Sequence, residues 1–232
     1  MLPREGLRAV LIDLDGTLMD TAPDLAEAAN RMRADFGLPP LPVSTIAQYV
    51  GKGADVLVHR SLTGRMDGEL APERFAPARA AFMRHYHDVN GQASLVYQGV
   101  PQALARLRER GWHLACVTNK PREFTQPLLQ RARLDALLDA VVCGDEVRHK
   151  KPHPEIVLLA CSRLGVAPAQ AVMIGDSLND VLAARAAGVR VVLVESGYNE
   201  GESVSSLSSE PGVDAIVRGL IDAVLWLDHA TA

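Results

Sequence analysis

Cysteine is scarce in this chain, and the few cysteines form no motif. Cys116, Cys143 and Cys161 are the only three among 232 residues, and none belongs to a CxxC pair. No cluster of histidines or cysteines stands near them at metal-ligand spacing, which argues against a disulfide framework, a zinc site or a catalytic thiol. We therefore expect three buried thiols in a reducing compartment.

Long apolar runs and a strong charge of either sign are also missing. No stretch approaches the roughly 18 apolar residues that a membrane helix needs, and the first residues show no secretory signal pattern. The formal net charge is −4, which offers no basic surface for nucleic acid. We expect a cytoplasmic protein, monomeric or homodimeric, that binds neither a membrane nor nucleic acid.

What the chain does contain is a set of five short segments that are apolar on both faces and rich in β-branched residues. Such continuous runs are typical of strands covered on both sides, as in a parallel sheet. Helical patterns lie between most of them, so we predict an α/β fold with a doubly wound, Rossmann-like parallel sheet. The predicted strands are Leu7–Ile12, His113–Thr118, Ala140–Gly144, Ala171–Asp176 and Val189–Val194.

The segment between the first two predicted strands breaks this alternation. It contains no good strand, its patterns are helical, and Thr21 with Asp24 three residues later resembles a capping box. It is far too long for a plain strand-to-helix connection. We predict an inserted helical cap domain at residues 20–94 and a core domain at residues 1–19 and 95–232, with hinges in the two linkers.

Polar side chains follow four of the predicted strands at the points where the strands end. The carboxyl ends of parallel strands meet at one edge of the sheet, where ligands bind in open α/β folds. We therefore expect these side chains to lie together. They are Asp13 and Asp15 after the first strand, Thr118 and Asn119 at the second, Lys150 and Lys151 after the third, and Asp176 and Asp180 at the fourth.

These residue types indicate magnesium and phosphate chemistry. Asp13 and Asp15 point to the same side of an extended chain, and two such carboxylates repel unless a proton or a cation lies between them. Carboxylate oxygens suit Mg²⁺, while a threonine hydroxyl, backbone amides near Asn119 and a lysine suit a phosphoryl group. One carboxylate can attack phosphorus to give an aspartyl phosphate, and the other can transfer the protons.

Four motifs carry a resemblance to a known family. "DLDGT", "VTNK", the lysine before proline in "KKPHP", and "GDSLND" resemble, in order and spacing, the motifs of the haloacid dehalogenase-like phosphohydrolases, and the insertion resembles their α-helical cap. This resemblance implies that Asp13 is the nucleophile and Asp15 the general acid and base. It implies a Mg²⁺ site at Asp13, Asp15 (through its backbone carbonyl) and Asp176.

The same resemblance assigns the remaining residues of the predicted site. It makes Thr118 and Lys151 phosphate ligands, and it favours Lys151 over Lys150 because Lys151 directly precedes Pro152. Asp180 would support the metal ligands from behind; the alternative is an acid placed in a first helical turn by the helix dipole. We interpret Lys120 as a solvated or loop-bracing residue.

Within the superfamily, "DLDGTLMDTAPD", "VGKGADVLV" and "GDSLNDVLAARAAG" most resemble the bacterial phosphoglycolate phosphatases. This resemblance implies 2-phosphoglycolate as substrate, with glycolate and phosphate as products. Gly51 and Lys52 belong to a glycine-flanked loop, and Lys52 is the only lysine in the insertion. We predict that this loop contacts the substrate and that Lys52 meets its carboxylate; the alternative is an exposed loop lysine.

Three other functions stay open. The chain could act on another small or sugar phosphate, such as N-acetylmuramic acid 6-phosphate. It could cleave phosphonoacetaldehyde with Lys52 as a Schiff base. It could also be a phospho-aspartate signalling switch rather than an enzyme, but a switch needs neither a leaving-group acid two residues from Asp13 nor a cap.

Overall fold

A parallel sheet of six strands forms the centre of the computed structural model, which describes residues 6–231. Residues 1–5 and 232, at the ends of the predicted core domain, lie outside the described residues. The described residues contain eight strands, of which β2 and β3 form a separate ribbon. Along the chain they are β1 (Ala9–Ile12), β2 (Met19–Asp20), β3 (Leu95–Val96), β4 (His113–Thr118), β5 (Ala140–Cys143), β6 (Ala171–Gly175), β7 (Arg190–Val194) and β8 (Val213–Val217). The order across the sheet is β5-β4-β1-β6-β7-β8, and all of its pairings are parallel.

Nine α-helices are present within the described residues. They connect the strands of the sheet, form the insertion that follows β2, or, in the case of the last helix, follow β8. The helices are α1 (Ala22–Asp35), α2 (Val43–Gln48), α3 (Ala54–Thr63), α4 (Pro72–Val89), α5 (Val100–Glu109), α6 (Arg122–Arg131), α7 (Glu155–Leu164), α8 (Leu178–Ala187) and α9 (Leu220–Thr231). None of the helices in residues 6–231 is long and apolar enough to span a bilayer; the cytoplasmic location and the oligomeric state stay predictions.

The side chains of strand β1 show that helices cover both faces of the sheet. Val10 and Ile12 belong to one hydrophobic cluster, together with residues of α5 and α9, whereas Ala9 and Leu11 belong to a second cluster with residues of α7 and α8. Successive side chains of a strand point to opposite faces, so a strand buried twice needs apolar residues at every position. The predicted α/β fold with a doubly wound parallel sheet is confirmed.

The five predicted strands are all present, shortened by at most two residues. Strand β8 was not predicted, because Asp214 interrupts its apolar run and its residues are mostly half-buried. An edge strand needs no continuous apolar run. The three cysteines are buried and free, as expected.

Helices α1–α4, which we call the cap, pack around a hydrophobic cluster of their own. Helix α1 contacts α2, α3 and α4, and Met32, Phe82 and Tyr86 are among the buried side chains of this cluster. Phe124 of α6, which follows β4, belongs to the same cluster. The division of the chain into two domains at residues 20–94 stays a prediction.

The two chain segments that lead into and out of the cap pair with each other. Strands β2 and β3 form an antiparallel ribbon, and the Asp24 carboxylate accepts hydrogen bonds from the backbone N–H groups of Gly91, Ala93 and Ser94 at 2.7–3.0 Å. The predicted capping box of Thr21 and Asp24 is therefore wrong. Thr21 has helical rather than extended dihedrals, its side chain makes no capping bond, and its hydroxyl donates to Asp15.

Candidate active site

The carboxyl ends of β1, β4 and β6 open onto a cleft beneath the cap. The sheet side of the cleft is polar and the cap side is largely apolar. Polar lining residues are Asp13, Asp15, Thr118, Asn119, Lys120 and Asp176, and apolar or aromatic ones are Leu25, Leu57, Phe82, Tyr86 and Phe124. The strand ends that the sequence singled out thus meet at one edge of the sheet.

Asp13 directly extends the central strand. Its backbone N–H donates to the Ile174 carbonyl at 3.0 Å, and one carboxylate oxygen accepts from the N–H of Leu14 at 2.8 Å. Gly16 then turns the chain away with a φ of 86°, and a Cβ at this position would overlap the Asp176 carboxylate. A glycine is required here because both the turn and the close approach exclude a side chain.

Lys151, not Lys150, reaches the acids. The Lys151 ammonium lies 2.8 Å from Asp13 and 2.8 Å from Asp180, and it also donates to the Val117 carbonyl at 3.0 Å. Burial disfavours its charge, but Asp13 and Asp180 outweigh burial and raise the pKa of the ammonium. Lys151 is therefore charged, and it neutralises part of the acidic cluster.

Asp176 is held in place by groups from two loops. The Thr17 hydroxyl donates to one of its carboxylate oxygens at 3.2 Å, and the backbone N–H of Tyr198 donates to the other at 2.7 Å. Burial and then the negative charge of Asp180 raise the pKa of the Asp176 carboxyl to about 7. This acid is costly to ionise unless positive charge is close.

Asp180 is fully buried and acts on its neighbours through hydrogen bonds. One oxygen pairs with Lys151, and the other accepts from the backbone N–H groups of Asp176 and Ser177 and from the Ser177 hydroxyl at 2.8–3.2 Å. An acid placed only by the helix dipole would be exposed and would not bind a buried lysine. The contacts of Asp180 fit the predicted supporting position behind the metal ligands.

The acidic cluster suits a divalent cation. Ligand oxygens of Asp13, Asp176 and Asp180 lie within 4.8 Å of one another, and burial raises the pKa of the Asp13 carboxyl well above its ordinary value, with Lys151 only partly offsetting this. Asp180 is already occupied by Lys151 and backbone donors, so Asp13 and Asp176 offer the better ligands. Hard carboxylate oxygens of this kind are those that Mg²⁺ prefers.

Thr118 and Asn119 end β4 beside this cluster, and both are buried. The Thr118 hydroxyl accepts from the Lys120 N–H at 3.1 Å. The Asn119 side-chain amide donates to the carbonyls of Gly51 and Lys151, and its oxygen accepts from the Lys151 N–H, all at 2.9 Å. Asn119 therefore ties the cap loop and the lysine loop to the end of β4, and its own side chain has little capacity left for substrate.

Lys120 is not solvated, so that part of its interpretation is wrong; its contact with Asp15, in the loop after β1, agrees with the loop-bracing alternative. Its side chain is 5% exposed, and its ammonium lies 2.8 Å from Asp15 and 5.1 Å from the centre of the Tyr86 ring. The physical reason is that helix α4 lies over the strand end and buries the lysine between the cap and Asp15. Thr21 binds the same Asp15 oxygen, so Lys120 and Thr21 together orient this carboxylate.

The glycine-flanked cap loop reaches the cleft through its backbone. Gly51 and Gly53 line the cleft, whereas Lys52 is not among the lining residues that the structure describes. The Lys52 ammonium lies 2.8 Å from the Glu200 carboxylate, which also pairs with the buried Arg60 at 2.6 Å. Substrate binding by Lys52 stays a prediction.

Sequence reasoning missed the loop that follows β7. The Tyr198 hydroxyl donates to Asp20 at 2.6 Å and accepts from the N–H groups of Thr21 and Ala22, so this core residue holds the start of the cap while its own N–H holds Asp176. One signal was available: the loop follows a predicted parallel strand and must leave the sheet at the same edge as the four motifs.

The family model of the haloacid dehalogenase-like hydrolases matches residues 7–188. The chain belongs to this family. This is the family that the motifs of the sequence resemble. The signalling-switch alternative is wrong, because the chain is a hydrolase.

Relatives of this hydrolase match along nearly the whole chain. It is 48% identical to a phosphoglycolate phosphatase of Nitrosospira multiformis and 45% identical to one of Thiobacillus denitrificans, with 97% of each chain covered in both comparisons. A crystal structure from Haemophilus somnus, described as a predicted phosphoglycolate phosphatase, superposes with a TM-score of 0.86 at 30% identity, over 97% of this chain and 99% of that one. The prediction of a phosphoric monoester hydrolase is confirmed at the level of the enzyme class.

A glycine behind Asp176 provides a test of the metal site. A Cβ at Gly197 would overlap the Asp176 side chain, whereas a Cβ at Gly219 would meet open space. Neither glycine has a positive φ. Since Gly197→Ala must displace a predicted metal ligand, we expect about a 10- to 100-fold higher Mg²⁺ requirement for turnover. A Mg²⁺ titration of activity measures this, with Gly219→Ala as the matched control; equal requirements in the two variants would contradict the assignment of Asp176.

Proposed function

We propose that this hydrolase cleaves 2-phosphoglycolate to glycolate and inorganic phosphate, with Mg²⁺ as cofactor and an aspartyl phosphate as intermediate. The observation that carries the proposal is the pairing of Asp13 with Lys151 next to Asp176, at the base of a small cleft. The names of the relatives in Nitrosospira multiformis and Thiobacillus denitrificans support the choice of substrate.

In the first step Asp13 attacks phosphorus. A bond forms between its carboxylate oxygen and phosphorus while the bond from phosphorus to the glycolate oxygen breaks, and Asp15 gives a proton to that leaving oxygen. Lys151 keeps positive charge beside Asp13 throughout this step. Asp13 and Asp176 would hold Mg²⁺, which would add positive charge to the site when bound.

In the second step water attacks the phosphorus of the aspartyl phosphate. Asp15, now deprotonated, accepts a proton from this water as the new bond forms. The bond between phosphorus and Asp13 breaks, phosphate leaves, and the Asp13 carboxylate is restored. Lys120 and Thr21 hold Asp15 in one orientation for both proton transfers. Thr118, at the end of β4, lies on the side of the cleft where a phosphate would be bound.

The cap side of the cleft favours a small substrate. Leu57 and Phe82 of the cap, together with Phe124 of α6, form apolar walls of the cleft, which offer few hydrogen bonds to a sugar such as N-acetylmuramic acid 6-phosphate. The phosphonoacetaldehyde alternative needs Lys52 as a nucleophile at the reacting carbon. Lys52 is ion-paired with Glu200 and does not line the cleft among the described residues, so no observation favours that chemistry.

A substrate panel tests the proposed function. We expect 2-phosphoglycolate to be hydrolysed with many turnovers per chain in Mg²⁺ and none after chelation with EDTA. N-Acetylmuramic acid 6-phosphate and ethyl phosphate should give a lower kcat/KM, and phosphonoacetaldehyde should not be cleaved. Preferred hydrolysis of the sugar phosphate, or turnover that survives complete removal of the metal, would contradict the proposal.

The predicted contact of Lys52 with the substrate carboxylate has its own test. If Lys52 leaves Glu200 to bind the substrate, Lys52→Ala should raise the KM for 2-phosphoglycolate, because the carboxylate loses a charged partner. The KM for ethyl phosphate, which has a methyl group in place of the carboxylate, should stay the same. An unchanged KM for 2-phosphoglycolate would remove Lys52 from the binding site.

A further inference from the structure

Helix α4 places one hydroxyl group in the cleft without a hydrogen-bond acceptor. The Tyr86 side chain is almost completely buried and lines the cleft, and the polar side chain beside its hydroxyl is Lys120, which can only donate. Among the residues the structure describes, no group accepts the proton of this hydroxyl. Buried hydroxyl groups nearly always have hydrogen-bond partners, because an unpaired one has lost its hydrogen bonds to water without gaining others in the protein. An unpaired hydroxyl in a binding cleft therefore points to a partner that arrives with the ligand.

The position of this hydroxyl is defined before any ligand arrives. The Tyr86 ring lies 4.5 Å from the ring centre of Phe124 and 5.6 Å from that of Phe82, so aromatic packing on both sides fixes its orientation. Burial, which Lys120 only partly opposes, raises the pKa of Tyr86 to about 12. At neutral pH the group is a fixed O–H donor.

Positive charge lies next to this donor. The Lys120 ammonium lies 5.1 Å from the centre of the Tyr86 ring and is ion-paired with Asp15. Leu57 and Phe82 line the same cleft and offer no side-chain hydrogen bonds. A hydroxyl donor next to a cation and apolar walls forms an environment for a small anion.

We propose that the Tyr86 hydroxyl and the Lys120 ammonium form the subsite that recognises the substrate's carboxylate, with the hydroxyl donating a hydrogen bond to one carboxylate oxygen. The inference rests on the proposed function, because it needs a phosphorylated acid as substrate. The subsite selects phosphorylated acids over phosphate esters of uncharged alcohols, since an ester without a carboxylate would leave the Tyr86 hydroxyl without an acceptor. Lys52 is the rival ligand, but its ammonium is bound to Glu200 on the rim of the cleft.

Tyr86→Phe isolates the hydroxyl, because it keeps the ring and its aromatic packing. The readout is the ratio of kcat/KM for 2-phosphoglycolate to kcat/KM for ethyl phosphate. Tyr86→Phe removes a hydrogen bond to the carboxylate of 2-phosphoglycolate but none to ethyl phosphate, so we expect this ratio to fall about tenfold or more. The fall should appear mainly as a higher KM, because the carboxylate does not take part in bond breaking.

Two further variants make the result decisive. Tyr49→Phe makes the same change in the same hydrophobic cluster of the cap but outside the cleft, and it should leave the ratio at the wild-type value. Lys52→Ala tests the rival ligand. The unfolding midpoint of Tyr86→Phe should equal or exceed that of the wild type, since an unpaired buried hydroxyl is removed.

An unchanged ratio in Tyr86→Phe would overturn the subsite, and so would a fall in the ratio that occurs only in Lys52→Ala. These failures differ from a failure of the proposed function. If the function is wrong, the wild-type enzyme itself will show no preference for 2-phosphoglycolate over ethyl phosphate, and the carboxylate subsite falls with it. If only the subsite is wrong, the wild type will keep its preference and Tyr86→Phe will keep it as well.

Discussion

Asp13→Asn should reduce turnover of 2-phosphoglycolate by at least about 10⁴-fold, because an amide oxygen is a far weaker nucleophile than a carboxylate. The fold should survive. Burial raises the pKa of the Asp13 carboxyl, so removing its charge relieves a desolvation cost, but Asp13→Asn also breaks the ion pair with Lys151. Because Lys151 keeps Asp180 as a partner at 2.8 Å, the loss in the free energy of unfolding should be smaller than the loss in Lys151→Met. Steady-state kinetics and urea unfolding of the same preparation measure the two effects.

Acid quenching tests whether Asp13 is the residue that becomes phosphorylated. Mass spectrometry of the quenched wild type should detect a phosphorylated chain during turnover, and the Asp13→Asn chain should carry no phosphate. Asp55→Asn, which removes an acid from an exposed ion pair with Arg79 on the cap, is the matched control and should react like the wild type. A phosphorylated Asp13→Asn chain would show that another residue is the nucleophile.

Lys151→Met should affect both activity and stability. Without the ammonium, Asp13 and Asp180 lose a buried partner that lies 2.8 Å from each, and breaking a buried ion pair costs about 3–5 kcal/mol in the free energy of unfolding. The transition state loses one fixed positive charge, which costs roughly 10²- to 10³-fold in kcat. Urea unfolding and kcat under saturating Mg²⁺ measure these losses.

The neighbouring lysine is the matched control for this variant. Lys150 is only half-buried, and Lys150→Met should change kcat and stability little. Adding Asp180→Asn to Lys151→Met removes one unpaired charge, so the double variant should recover part of the stability but none of the activity. Equal effects of Lys150→Met and Lys151→Met would contradict the placement of Lys151.

The strands most readily predicted from the sequence are those with apolar surroundings on both faces of the sheet. Strands β1, β4 and β6 are covered on both faces, so they need apolar residues at every position and are visible as runs. The acids at their ends were predictable too, because parallel strands bring their carboxyl ends to one edge. Strand β8 contains the exposed Asp214 and the ribbon strands have two residues each, so none of them shows a continuous apolar run.

The parts that sequence reasoning missed depend on contacts between distant residues. Lys120 precedes an ordinary helix in a polar stretch, and only helix α4 packing over it makes it a buried partner of Asp15. Tyr198 joins Asp20 and Asp176 from a loop that follows β7. Asp24 has the right spacing for a cap on its own helix, yet it binds backbone groups about 70 residues away, at Gly91 and Ser94.

The central place of β1 determines when the site can be assembled during synthesis. Ala9 pairs with His113 on one side and Ala171 on the other, so the first strand leaves the ribosome long before either neighbour; at typical elongation rates its second partner follows roughly 10–30 s later. Helices α1–α4 contact one another and are complete by Val89, so they can fold during this interval. An apolar strand with two open edges is meanwhile exposed, which makes the unfinished chain prone to aggregation until His113 and Ala171 arrive.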